Sequence, residues 1–330
     1  MPTSTQAPKL IDIAGLNVAY PSAYGQVHVI NDVALSLNLG DTLGLVGESG
    51  CGKSTLAKAL MGLLPSQTMI SHSKFKFSGQ ELPAQSSRHW QALRGKSLAM
   101  IFQNPMSSLN PYLNIQTQMT EGLKLHFKLN SKTALEKSLV VLEEVMIPQP
   151  QNILKKFPHE LSGGLCQRVM IAMALSFHPT LLIADEPSTA LDVSTQASIM
   201  QLLRALQQKR GMSLLLVSHD LALVAQQCQR TAVMYAGEIV EEGPTLEVLN
   251  HPLHPYTQCL LAARPKIKGK PAEELLALPG QAPQLRNFPV GCSLATRCPK
   301  AMPQCQQRPP RQWVGSQRSF LCHLEPDLCS

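Results

Sequence analysis

Nine consecutive residues constrain this chain more than anything else in it: Gly47-Glu48-Ser49-Gly50-Cys51-Gly52-Lys53-Ser54-Thr55. They fit the pattern G-x-x-x-x-G-K-[ST], follow the apolar run Leu43-Gly44-Leu45-Val46 and lead into a helical pattern over 53–64. Glycines let the main chain wrap closely, so successive N–H groups converge on one anion. The new helix offers its positive end to the same charge. Lys53 is placed to reach the β- and γ-phosphates, and Ser54 to ligate Mg²⁺. By itself the loop says only that a nucleoside triphosphate binds; kinases, GTPases and helicases carry it too.

A phosphate loop of this kind needs an α/β framework, and the remaining pattern supplies one. Short runs rich in Val, Ile and Leu at 11–20, 27–30, 33–39 and 42–46 read as strands. The stretch 116–146 turns helical, with Leu135, Leu139, Leu142 and Val145 on one face. Strand–helix alternation resumes over about 169–240, and the wholly apolar runs 181–184 and 213–217 suit a buried parallel sheet. The expected organisation is a nucleotide-binding core at 1–103 and 161–250, a helical subdomain at 104–160 and a C-terminal extension at 251–330. There is no internal repeat, so one nucleotide module is expected. No window holds eighteen uninterrupted apolar residues, and residues 1–10 lack a basic-then-apolar leader pattern; a cytosolic chain is expected.

A second set of residues chooses the class. Leu161-Ser162-Gly163-Gly164-Leu165-Cys166-Gln167-Arg168 precedes Leu181-Leu182-Ile183-Ala184-Asp185-Glu186. Ser162 has the composition of a helix N-cap beside exposed main-chain N–H groups, a good reader of a phosphate. Asp185 ends an apolar strand, where a carboxylate can hold Mg²⁺ through water, and Glu186 follows directly. The pair resembles the signature sequence and Walker B strand of ABC ATPases. That resemblance implies a P-loop ABC fold: a RecA-like core, an antiparallel β subdomain, an inserted helical subdomain and a small Cys-containing extension. It also implies ATP hydrolysis, with Glu186 as general base and with Ser162, Gly163 and Gly164 facing the ATP held by an opposing subunit. Gln103, after Ala99-Met100-Ile101-Phe102, resembles the Q-loop and implies contact with Mg²⁺ and water. Ser188-Thr189-Ala190-Leu191-Asp192 resembles the D-loop, with Asp192 across the dimer interface, and His219 resembles the switch histidine. An aromatic about 25 residues before the loop should stack on adenine; Tyr20 and Tyr24 both qualify, and Tyr20, ending a strand, is preferred.

Two further stretches narrow the family. Met100-Ile101-Phe102-Gln103-Asn104-Pro105-Met106-Ser107-Ser108-Leu109-Asn110-Pro111 and His254-Pro255-Tyr256-Thr257-Gln258 resemble the dipeptide/oligopeptide branch of ABC importers. That branch also includes nickel, polyamine and antimicrobial-peptide systems, which stand as alternatives. The implied partners are a second, related ATPase subunit, two membrane permease subunits and, indirectly, a periplasmic solute-binding protein. No nucleic acid is expected. The implied place is the cytoplasmic face of the bacterial inner membrane, peripherally bound. The signature departs from the branch at Leu165 and Cys166, where Met and Arg are usual. Cys166 removes a cation near the interface and implies a change in nucleotide affinity or partner contact.

The tail leaves two matters open. From His251 onward there are ten Lys or Arg and four Asp or Glu, 10 − 4 = +6 of the chain's net +7. Such a tail could face anionic lipid or nucleic acid, or simply be solvated; a soluble ATPase acting on nucleic acid or ribosomes is the rival that it supports. Five of the nine cysteines fall in the last forty residues. Cys292, Cys298, Cys305 and Cys322 do not have C-x2-C zinc spacing. Four thiolates in a reducing compartment still suit a metal, and by resemblance to the branch a [4Fe–4S] cluster is favoured over zinc. The bland alternative is a knot of packed thiols, with Cys329, Cys51, Cys228 and Cys259 as bystanders.

Overall fold

The computed structural model describes residues 8–23, 25–83, 88–189, 191–263, 278, 280, 283 and 288–326. The chain divides into two compact units, one made of 1–86 with 217–330 and the other of 87–216.

The first unit opens with two long strands, β1 (Lys9–Ser22) and β2 (Gly25–Asn38), followed by β3 (Thr42–Val46) and α1 (Lys53–Leu60). Then come β4 (Met69–Ser71), β5 (Lys74–Phe77) and β6 (Gln80–Glu81). β2, β1, β5 and β6 lie side by side in that order, β4 pairs β1, and all these pairings given are antiparallel. The two strands expected at 27–30 and 33–39 are a single strand. Asn31-Asp32 does not break it but bulges it: Asp32 takes φ 49° and donates its N–H to the Asn17 Oδ1 at 2.9 Å. Helix α1 stops at Leu60, short of the expected 64. Gly62 at φ 60° turns the chain, and the N–H of Leu63 returns to the Lys58 carbonyl at 2.9 Å. The glycine-terminated helix end wins over the apolar periodicity that continues past it.

The second unit contains α2 (Arg88–Leu93), β7 (Leu98–Ile101), α3 (Pro105–Ser108), α4 (Ile115–Phe127), α5 (Ser131–Glu144) and α6 (Pro150–Lys155). It continues with α7 (Gly163–Leu175), β8 (Leu181–Asp185), α8 (Val193–Arg210) and β9 (Ser213–Val217), whose last residue falls in the first unit. β9, β8 and β7 lie in that order, β7 and β8 parallel, and every residue of the three is buried. Their unbroken apolar runs are what strands covered on both faces require. Each fully buried Leu or Ile contributes roughly 1.5–3 kcal/mol, so residues such as Leu181, Leu182 and Ile183, all with no exposed surface, hold this layer together. The helical stretch expected at 116–146 is two helices. Lys128 turns at φ 54°, and Asn130 caps α5 by accepting from the Thr133 N–H at 2.9 Å.

Back in the first unit follow α9 (Leu221–Gln227), β10 (Arg230–Tyr235), β11 (Glu238–Pro244), α10 (Thr245–Asn250), α11 (Pro255–Ala262), β12 (Arg311–Val314) and β13 (Arg318–Leu321). Strands run β12-β13-β11-β10-β3, with β10 parallel to β3 and the others antiparallel. The C-terminal extension therefore contributes a hairpin to the sheet that carries the phosphate loop. Gly44, in the middle of β3, lies against α9: a Cβ there would stand 2.3 Å from Val224 Cγ1.

Candidate functional site

In the first unit the phosphate loop leaves buried β3 and enters α1 at Gly52, whose φ of 107° only glycine takes readily. At Gly47 a Cβ would lie 2.1 Å from the Met234 carbonyl oxygen, so the loop can pass over β10 only without a side chain there. Lys53 is buried, and its ammonium donates to the carbonyls of Gly47 at 2.8 Å and Glu48 at 2.9 Å. These are neutral acceptors that a phosphate can replace with a stronger, charged one. Cys51 sits with its Sγ 3.8 Å from the Lys53 Nζ; burial pushes its thiol up, against the pull of Lys53. Exposed His219 lines a cavity of about 430 Å³ together with Val46, Gly47, Asp220, Leu221, Ala222 and Leu260. Its backbone is fixed on both sides. The Ser218 N–H donates to the Leu45 carbonyl at 3.1 Å, and Asp220 caps α9 by accepting from Ala222 at 2.7 Å. Tyr20 lies half-buried near the end of β1, opposite Val27; Tyr24 is outside the described residues.

The loop has supports that sequence reasoning missed. The Glu48 N–H donates to the Tyr256 hydroxyl oxygen at 2.8 Å, and the Glu48 carboxylate accepts from Arg297 at 3.1 and 3.5 Å. Arg297, 7% exposed, also donates to the Tyr235 hydroxyl at 3.2 Å. The rings of Tyr235 and Tyr256 pack with centroids 4.6 Å apart. His254-Pro255-Tyr256 was legible as a family mark, and nothing in its spacing told where the tyrosine reaches.

In the second unit β8 delivers Asp185, 4% exposed, and then Glu186 at φ 46°. A non-glycine residue held in that region is strained by about 1 kcal/mol or more, and such strain gathers where a side chain must be aimed. The Glu186 carboxylate accepts from Gln103 Nε2 at 3.1 Å and from Thr189 Oγ1 at 2.9 Å. Gln103 follows β7, beside Asn104, which caps α3 through the N–H groups of Met106 and Ser107. Ser162 is the N-cap of α7 and accepts from the Leu165 N–H at 3.4 Å; Ser162 and Gly163 are exposed. Asp192 caps α8. Hydrogen bonds from the Ser194 hydroxyl at 2.6 Å and the Thr195 N–H at 2.9 Å hold its carboxyl far below the usual carboxylate range. Cys166 corrects an expectation. It is fully buried, with its Sγ 3.4 Å from Met106 Sδ and 3.5 Å from the Pro158 carbonyl, and burial pushes its thiol up. The side chain packs in the interior of the second unit.

The tail also departs from expectation. Arg297, Arg311 and Arg318 turn inward, and Arg308, though exposed, is also paired. Arg308 pairs with Asp32 at 3.0 Å and Glu238 at 3.2 Å, Arg318 with Glu241 at 2.8 Å, and Arg311 donates to the Ile239 carbonyl at 2.6 Å. The charge of these three is balanced by β11 and its neighbours; Arg264, Lys266, Lys268, Lys270 and Arg286 lie outside the described residues. The expected thiolate ligand set is not met. Among the described residues no three or more His, Cys, Asp or Glu are grouped so that they could hold a metal ion. Burial first, and then the neighbouring thiols, push Cys292 up to about 12 and raise Cys298 and Cys322. Main-chain bonds close the knot: Cys292 N–H to the Cys305 carbonyl, and Cys305 N–H to the Met302 carbonyl, both at 2.9 Å. Cys329 lies outside the described residues.

With this geometry in view, the likenesses to known proteins are specific. Residues 30–189 match the ABC transporter family, and residues 240–305 match the oligopeptide/dipeptide transporter C-terminal region. The chain is 43% identical over 324 residues to the oligopeptide transport ATP-binding protein OppD of Salmonella typhimurium, covering 97% of this chain and 96% of that one. It is 42% identical over 319 residues to the dipeptide transport ATP-binding protein DppD of Escherichia coli, covering 96% and 97%. Among solved structures, the ATP-binding cassette MJ0796, in a dimeric post-hydrolysis state bound to ADP and Pi, superposes with a TM-score of 0.62 at 24% identity, over 71% of this chain and 98% of that one. CbiO1 from Clostridium perfringens, part of the transporter complex cbiONQ, gives 0.62 at 25%, over 74% and 91%.

Proposed function

Because the chain belongs to the ABC transporter ATP-binding family and carries the C-terminal region of its oligopeptide/dipeptide branch, we propose that it is the ATP-hydrolysing motor subunit of an importer of dipeptides or oligopeptides. The observation that carries this reading is likeness to peptide-transport ATP-binding proteins along almost the whole of both chains, extension included. No helix of the described residues is long and apolar enough to cross a membrane; in this reading the motor works with membrane permease subunits, as the likeness to peptide-transport ATP-binding proteins supports.

Within this reading each residue has a role that its surroundings support. Lys53 exchanges its two carbonyl partners for phosphate oxygens, while the N–H groups of Gly50 to Thr55 and the α1 terminus hold the remaining charge. Ser54 and Asp185 offer the hard oxygen donors that Mg²⁺ takes, and the ion would neutralise phosphate charge when bound with the nucleotide. Glu186, steadied by Gln103 and Thr189, accepts the proton of the attacking water. His219, exposed beside the loop, senses the γ-phosphate. Exposed Ser162 and Gly163, with half-buried Gly164, read the ATP of an opposing subunit, with Asp192 beside them, and Tyr20 stacks on adenine. The opposing subunit is a related ATPase, two permeases complete the assembly at the inner face of the membrane, and a solute-binding protein delivers the peptide outside. The core is assigned to 1–103 and 161–250, the helical subdomain to 104–160 and the extension to 251–330.

The test is ATP hydrolysis by the complex purified through this subunit, with and without short peptides and the solute-binding protein. Peptide-stimulated turnover that is lost in Glu186→Gln, with ATP retained, supports the reading. Co-purifying permeases with no response to peptide would leave the motor and overturn the solute. Undiminished turnover in Glu186→Gln would overturn the base.

A further inference from the structure

The geometry points to a clamp: Tyr256 and Arg297, from two separate segments of the C-terminal extension, position the phosphate loop through its single residue Glu48 and thereby set its affinity for ATP. The inference rests on the assignment of residues 47–55 as the phosphate loop. Glu48 is grasped at both ends, its N–H by the Tyr256 hydroxyl and its carboxylate by the Arg297 guanidinium. The partners are 208 and 249 residues away in sequence, so neither contact follows from chain continuity.

Both partners are themselves fixed. Tyr256 is fully buried at the start of α11, where the His254 Nδ1 accepts the Tyr256 N–H at 3.1 Å. His254 is in turn held by Glu241, which accepts its N–H at 3.0 Å and is paired with Arg318. Arg297 is tied by its own N–H to the Leu294 carbonyl at 2.8 Å, and its side chain rests between Glu48 and Tyr235. Arg297 lies next to Cys298, in the same knot that Cys292 and Cys305 close. Two described segments of the extension, each tied by its own hydrogen bonds, therefore end on the loop.

The electrostatic reason is direct. Glu48 is an anion one residue inside a loop that must accept a polyphosphate. Unpaired, its carboxylate repels the ligand, and in a partly shielded environment beside the loop that repulsion is large enough to measure. Arg297 cancels this charge without itself entering the loop. Tyr256 fixes the direction of the Glu48 peptide, which sets where the following N–H groups point. Both are positioning residues that act through Glu48, not catalytic ones.

The test uses the full-length chain and MgATP, with KM and kcat measured for Arg297→Ala, Arg297→Lys, Tyr256→Phe, Glu48→Gln and the double variant Arg297→Ala/Glu48→Gln. Thermal unfolding without nucleotide is recorded for each. Arg297→Ala is expected to raise the KM for ATP about fivefold, as loss of a partly exposed ion pair predicts, with kcat changed much less. Arg297→Lys, which keeps the charge, stays nearer the parent and serves if the alanine variant does not fold. Tyr256→Phe raises KM with no loss of net charge. The decisive result is rescue: Glu48→Gln in the Arg297→Ala background should recover most of the lost affinity, because the charge that needed cancelling is gone. An unchanged KM in Arg297→Ala, or a double variant as weak as the single one, overturns the clamp. Retained ATP binding in Lys53→Ala would instead overturn the loop assignment, and the clamp with it.

Discussion

His254 should make the stability of this chain fall in mildly acid solution, by an amount that its surroundings allow to be worked out. The side chain is 1% exposed, and burial first, then the nearby charge of Arg311, push its pKa down to about 3, against a main-chain hydrogen bond at Leu321 that raises it. Its Nδ1 must stay unprotonated to accept from Tyr256. The unfolded chain takes up a proton on this histidine near pH 6.5, the folded chain only near pH 3. Between those values the unfolded state binds more protons, so stability is lost as pH falls below about 6.5. At pH 5, one and a half units into that window, the loss is about 2 kcal/mol at 1.36 kcal/mol per unit. His254→Asn supplies the control. An asparagine oxygen can cap the same N–H without titrating. Guanidinium unfolding of both proteins at pH 7 and pH 5 should show the parent losing about 2 kcal/mol more than the variant. Equal losses in the two would refute the argument, since every other titrating group is common to both.

Gly44→Ala should destabilise by about 1–3 kcal/mol through overpacking, because its Cβ would meet Val224 at 2.3 Å; Val224→Ala in the same chain should recover part of the loss of Tm. Arg318→Gln strands the fully buried Glu241 carboxylate, and also removes the bond from Arg318 to the His251 carbonyl. Denaturant unfolding should register a loss of about 3–5 kcal/mol, and an effect under 1 kcal/mol would mean that water reaches Glu241. Thr189→Val removes one of the bonds that hold Glu186. Initial-rate assays should find kcat lower by about fivefold, the equivalent of about 1 kcal/mol, with KM for ATP unchanged.

What could be read beforehand divides along a physical line. The phosphate loop, the Asp185-Glu186 strand end and Ser162 at its helix start were legible because each is a local arrangement, a motif whose residues do their work within one turn of chain. Element ends were legible only where their punctuation was noticed. Gly62 and Asn130 carried the signals for a helix stop and a helix start, and apolar periodicity running past them hid both. The bulge at Asp32 looks like a break in the sequence because a polar pair in a strand usually is one. The surroundings of Cys166 are hidden from the sequence for a different reason. Its place in a motif suggested an interface, whereas which face of α7 it occupies depends on Met106 and Pro158, sixty and eight residues away.

The tail shows the same line from the other side, and explains why composition misled there. Counted along the chain, +6 after residue 250 looks like a charge seeking a partner. Counted in space, four of its arginines, Arg297, Arg308, Arg311 and Arg318, already have partners among the described residues, and Arg264, Lys266, Lys268, Lys270 and Arg286 lie outside them. β11 carries Glu238, Glu241 and Glu242, a set of carboxylates that a strand inside a sheet could not hold alone, since each buried charge without a counterion costs several kcal/mol. Burial holds Glu238 and Glu242 above the usual carboxylate range, against the Ser293 hydrogen bond at Glu238 and the neighbouring arginines at both. Arg230 supplies one counterion from β10; Arg308, Arg311 and Arg318 supply the others from the extension. The acidic strand and the basic tail are thus halves of one structure, separated by seventy residues of sequence that conceal the pairing. Glu241 then joins this charge balance to the loop, because the carboxylate neutralised by Arg318 is the one that holds His254, and His254 holds Tyr256 against Glu48.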